Sequence, residues 1–107
     1  MRILFDHGTP RGLARSLVGH EVEEARTRGW DTLSNGELLS AAERAGFDVL
    51  LTTDRNLPYQ QNLAGRRIAV IVLGAARWRL IEPMAARILV AVNASRPGAY
   101  TIVEISE

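Results

Sequence analysis

The run Arg67–Leu73 is rich in β-branched residues and apolar on both faces, which suits a central strand buried in a parallel sheet. Shorter apolar runs precede it, Arg2-Ile3-Leu4-Phe5 and Asp48-Val49-Leu50-Leu51-Thr52, and Tyr100–Ile105 follows it. Between them lie segments of helical spacing. Thr9-Pro10 reads as a helix start, with Thr9 as cap and Pro10 in the first turn. Leu13, Ala14, Leu17 and Val18 continue that spacing, and Gly19 stops it. Ser34-Asn35-Gly36-Glu37 matches a capping box. Leu38, Ala41, Ala42 and Ala45 form the buried face behind it, and Gly46 ends the helix. Pro58–Leu63 fits a brief helix, and Glu82-Pro83 opens a last one with Met84, Ile88, Leu89 and Val92 facing inward. His20–Ala25 has one bulky apolar residue, Val22, and belongs at a sheet edge.

This alternation predicts a single domain over residues 1–107: a three-layer α/β/α fold with a largely parallel sheet of about five strands. Right-handed crossovers would place every strand's carboxyl end on one rim, where ligands of open α/β sheets bind. Asp6, Asp31, Glu37 and Asp54 are expected at that rim. Two aspartates at adjacent strand ends repel, and a fold tolerates them with a cation or a shared proton. Asp6 and Asp54 are therefore candidate metal ligands. Glu37 either joins them or simply closes its capping box. Asp31 reads as a solvated loop residue and His7 as a bystander beside a turn glycine. Trp30 and Trp78 read as packing anchors.

Composition removes several chemistries. The chain has no cysteine, hence no disulfide framework or thiolate zinc site. All thirteen cationic residues are arginine, so no lysine amine can act as nucleophile or base. The net charge of +1 gives no general signature of a nucleic-acid binder. No apolar stretch approaches the roughly 20 residues of a membrane span, and the expected location is cytoplasmic. Dinucleotide-binding and P-loop glycine patterns are absent, as is the G-x-S-x-G elbow. An aspartyl-nucleophile phosphatase would carry an acid where Gly8 stands, and a phospho-receiver domain would rely on lysine. Arg11, Arg55, Arg77 and Arg79 are candidates to meet phosphate, and Arg11 and Arg55 flank the acids.

Ile3-Leu4-Phe5-Asp6, Leu33-Ser34-Asn35-Gly36-Glu37-Leu38-Leu39 and Leu50-Leu51-Thr52-Thr53-Asp54-Arg55-Asn56-Leu57, in that order and spacing, resemble the PIN-like nuclease family. The similarity is to its minimal bacterial branch, akin to VapC-type toxins of toxin–antitoxin pairs. The resemblance implies a metal-dependent ribonuclease with Asp6, Glu37 and Asp54 as catalytic and metal-binding residues for Mg²⁺ or Mn²⁺. Arg11 and Arg55 would neutralise substrate phosphates, with Thr53 and Asn56 supporting the ligands. RNA is the implied substrate and an antitoxin protein the implied partner. The chain departs from the pattern at His7-Gly8, where relatives carry Glu/Asn-Asn, and at Asn35, often aspartate. A fourth acid is lacking unless Asp31 or Glu24 supplies it. These departures motivate the alternative, a catalytically degenerate PIN-like module acting through protein–protein binding. The apolar Ile88–Val92 helix could then be covered by a partner or by a second copy in a homodimer, and a buried core helix is its plainer reading.

Overall fold

A computed structural model describes residues 1–106. Five strands form one sheet, β1 (Arg2–Phe5), β2 (Glu21–Glu24), β3 (Val49–Thr52), β4 (Ala69–Leu73) and β5 (Tyr100–Val103). Their order is β2-β1-β3-β4-β5 and every pairing is parallel. Four α-helices flank the sheet: α1 (Asn35–Arg44), α2 (Leu57–Gln60), α3 (Trp78–Ile81) and α4 (Ala85–Asn93). The expected three-layer architecture is the observed one.

Period-two alternation along the strands divides the interior into two cores. Ile3, Phe5, Val49, Leu51, Ala69, Ile71, Leu73 and Val103 face one side, where Leu13, Leu17, Ile81, Ile88 and Val92 cover them. Leu4, Leu50, Val70 and Val72 face the other, beneath Leu38, Leu39 and Ala42 of α1 and Leu57 of α2. β3 and β4 are buried at every position, as both-faced apolar runs require. The edge strand β2, Glu-Val-Glu-Glu, is only partly covered, as expected for His20–Ala25.

Two local expectations change. The segment after Pro10 forms a 3-10 helix, Arg11–Ser16, with Pro10 at its cap. Thr9 does not cap it, because its hydroxyl turns inward to Asp6 and the Leu51 carbonyl. The last helix begins earlier than Glu82-Pro83: α3 and a 3-10 turn, Glu82–Met84, lead into α4.

The four crossovers do not share one hand. β1→β2 and β4→β5 both pass over the first core but travel in opposite directions across the sheet. β2→β3 and β3→β4 pass over the second core and share the hand of β1→β2, leaving β4→β5 as the exception to the right-handed rule. Both middle crossovers lie on the second face, and α4 lies on the first, where Ile88 and Val92 join the core of Val49, Leu51, Ala69 and Ile71. Because all strands are parallel, their carboxyl ends share one rim regardless of hand.

Candidate functional site

The chain leaves β1 for one side of the sheet and β3 for the other, so the strand order reverses between them. That junction is where a crevice opens in doubly wound folds, and here Asp6 and Asp54 stand on its two sides. A cleft of about 240 Å³ is lined by both aspartates with His7, Gly8, Trp30, Asp31, Asn35 and Thr53.

Asp6 continues β1 by one residue, and Thr52 ends β3. The register Phe5↔Leu51 therefore sets them side by side. The Thr52 hydroxyl donates a hydrogen bond to Asp6 Oδ2 and accepts one from the Asp54 amide at 3.1 Å. A single fully buried hydroxyl thus holds both aspartates. Asp6 Oδ1 also accepts from the Gly8 amide at 3.2 Å. Thr9 Oγ1 lies 2.9 Å from Asp6 Oδ1 and 3.0 Å from the Leu51 carbonyl, and its one proton serves one of them at a time.

Asp54 Oδ1 accepts from the Asn56 amide at 2.9 Å, an Asx-turn, and Oδ2 accepts from Asn35 Nδ2 at 3.0 Å. Asn35, first residue of α1, is thus the side chain that α1 presents to Asp54. The Asn56 side chain makes no part of this contact. Gly8 allows a close approach: a Cβ there would stand 2.6 Å from Thr53 Oγ1. Any larger residue at that position would force the Thr53 side chain between the loops after β1 and β3 to shift.

The structure brings Asp6 and Asp54 to one cleft and adds Asp31, which is exposed on its wall. Glu37 is placed otherwise. Its Oε1 accepts from the Ser34 amide and hydroxyl, both at 3.0 Å, and Ser34 Oγ accepts from the Glu37 amide at 3.3 Å. The capping box is complete. These bonds from the Ser34 backbone and hydroxyl hold the Glu37 carboxyl below the usual carboxylate range. Glu37 lines a separate shallow depression with Gly36, Ser40 and Arg44. Among the described residues, no three histidine, aspartate or glutamate side chains converge closely enough to hold a metal ion together.

The two arginines expected at the acids also turn aside. Arg11 pairs with Glu24 at 3.2 Å and borders a different hollow, with Phe5 and Thr27. Arg55 reaches past Gly74 to Glu104, at 2.9 Å. Neither lines the aspartate cleft. Trp30 packs edge-on against Phe47, with ring centroids 6.2 Å apart, and also walls the cleft. Trp78 packs against Gly12.

Sequence reasoning missed Thr52 and Gly8. Thr52 stands two residues before Asp54 on a period-two strand, but its link to Asp6 requires the β1–β3 register. Chemically, the two aspartates offer oxygen ligands alone. A carboxylate has about four lone-pair sites, so Asp6 keeps about one free and Asp54 about two. That donor set fits a hard cation such as Mg²⁺, which commonly takes one or two carboxylates and completes its shell with water and phosphate oxygens. Among the described residues, no helix is long and apolar enough to cross a membrane. Comparisons with protein-family models, with curated proteins and with solved structures find no match for this chain.

Proposed function

We propose that the chain is a metal-dependent ribonuclease of the PIN-like type, with Asp6 and Asp54 as its ligands for Mg²⁺ or Mn²⁺. The observation that carries this reading is the pair of aspartates fixed by one buried hydroxyl at the strand-order reversal. A divalent ion held there would supply an acidified water and offset charge on the leaving oxygen of a phosphodiester. The protein's own part is positioning. Thr52 ties the Asp6 carboxylate to the Asp54 backbone, Asn35 and the Asn56 amide orient the Asp54 carboxylate, and Gly8 lets the two loops close. Asp31, on the cleft wall, can act through water. Arg11 or Arg55 would reach a flanking phosphate only by leaving an exposed ion pair, which costs about 0–1 kcal/mol. RNA as substrate and an antitoxin as partner rest on the sequence resemblance.

Mn²⁺-dependent cleavage of single-stranded RNA by the chain tests the proposal directly. Asp6→Asn should reduce cleavage to background, and Thr52→Val should weaken Mn²⁺ binding by about 10–100-fold, the usual effect of removing a group that orients ligands. Thr52→Ser should restore it. Equal cleavage by the native chain and Asp6→Asn would end the idea.

The capped Glu37, with no third acid among the described residues close enough to share a metal ion with the two aspartates, favours a second reading: a catalytically degenerate module that binds a protein partner. Calorimetry separates the two. Mn²⁺ binding that disappears in Asp54→Asn supports the enzyme, and no binding at millimolar Mn²⁺ supports the module.

A further inference from the structure

The lining of the aspartate cleft is of two kinds. The carboxylates and the polar groups that bond them make one part, and Ala25, Trp30, Leu33 and Leu38 make an uncharged, apolar part. Among those four, the Trp30 indole is the one flat surface. A cation held by Asp6 and Asp54 makes no use of it.

Trp30 is held from behind. Its ring centroid lies 6.2 Å from that of Phe47, in an edge-to-face contact, and 5.3 Å from the guanidinium carbon of Arg28. That carbon is in turn 5.1 Å from the Phe47 centroid. Three separations of similar length close a nearly equilateral triangle, so Arg28 and Phe47 lie well under a right angle apart as seen from the indole. Both therefore back the same side of the ring. The other side is left to the cleft, which Trp30 lines while only half-buried. Arg28 is itself fixed. Its Nε and Nη2 donate to the two carboxylate oxygens of Glu23, each at 3.0 Å, and Arg2 donates to Glu23 at 3.0 Å as well. An aromatic ring bracketed in this way loses little freedom when a flat ligand stacks on it.

We infer that Trp30 stacks the base of the nucleotide whose phosphate meets the metal ion, and so positions the substrate in the cleft. The inference rests on the proposed ribonuclease reading for its substrate class, and deepens it. A nucleotide has the two chemistries that the lining separates. Its phosphate is anionic and goes to the cation between the aspartates, since bare carboxylates would repel it. Its base is flat and uncharged and goes to the apolar part, where the indole offers a stacking face that accepts any base. The reverse placement fails, because no arginine among the described residues lines the cleft to hold phosphate on the apolar side. Bases inside a duplex are already stacked, so the cleft takes single strands and unpaired loops.

Proton–nitrogen correlation spectra of the labelled chain resolve the indole N–H groups of its two tryptophans, and Trp30→Phe assigns them. With Mg²⁺ present, adenosine monophosphate at millimolar concentration should move the Trp30 signal saturably. Ribose phosphate, which lacks the base, should move it far less. The signal of Trp78, which packs against Gly12, should answer neither. In cleavage of single-stranded RNA, Trp30→Ala should raise KM at least tenfold, the scale of one lost base stack. Its Mn²⁺ affinity should stay within twofold of the native chain, and Trp30→Phe should recover most of the loss. Circular dichroism reports the folding of each variant, and the native spectra decide the matter if Trp30→Ala does not fold. A Trp30 signal unmoved by adenosine monophosphate, or moved as far by ribose phosphate, overturns the inference. So does an unchanged KM in folded Trp30→Ala. Failure of the proposed activity reads differently, as equal cleavage by the native chain and Asp6→Asn, and the indole signals still report base binding in that case.

Discussion

At the scale of single residues, the cleft depends on two positions that contribute no charge. Thr52 is buried because it ends a strand buried on both faces, and its hydroxyl meets carboxylate and amide on either side. Gly8 matters for the atom it lacks. Ala at this position would set its methyl against Thr53 Oγ1 at 2.6 Å, while Thr53 Cβ would lie at an ordinary 3.9 Å. Gly8→Ala should therefore destabilise the fold by about 1–3 kcal/mol, the usual cost of overpacking. The same change made in a Thr53→Ala background should cost far less. A double-mutant cycle by urea denaturation measures the coupling, and additive effects would show that the two loops do not press on each other there.

At the scale of elements, α1 shows how one residue can satisfy two expectations on paper and one in space. Glu37 stands three residues after Ser34, and both halves of the capping box are made. Its carboxylate is spent on the helix end instead of the cleft, and α1 presents Asn35 to Asp54. Ser34→Ala should lower stability by about 1 kcal/mol, as loss of an N-cap does. Glu37→Gln keeps a residue able to complete the box. It should leave Mn²⁺ affinity within twofold of the native chain, and loss of binding in that variant would return Glu37 to the metal site. The helix was legible from its cap and its apolar spacing. The direction of Glu37 was not, since a first-turn side chain can fold back or reach forward with no change in sequence.

At the scale of the whole molecule, three glutamates held below the usual carboxylate range set its response to acid. Glu23 lies below the usual carboxylate range mainly through its hydrogen bond with Arg28, and Glu37 through Ser34. For Glu43 burial pushes upward, but the Arg67 amide and the Arg66 guanidinium outweigh it and the net direction is down. A carboxyl with a depressed folded value stabilises fully above its unfolded value and loses that contribution as pH falls through the folded one. The ordinary value here is 4.5 for all three. The urea midpoint attributable to them should hold steady from pH 7 to 5 and fall below about 4.5. Glu43→Gln should flatten part of that fall, and an acid transition identical in the variant would remove Glu43 from the account.

The sequence by itself determined the strand–helix alternation, the central place of β3 and β4, the edge place of β2 and the position of Asp6 and Asp54 at strand ends. Those follow from local periodicity and turn chemistry, which each segment carries alone. Tertiary structure decided the rest, because it depends on register and on the competition of partners across the sheet. Thr52 joins the aspartates only through the β1–β3 alignment. Arg55 leaves the cleft because Glu104, 49 residues further on, offers it a carboxylate. The hand of β4→β5 follows from which face of the sheet its helices cover, a condition that no single segment records.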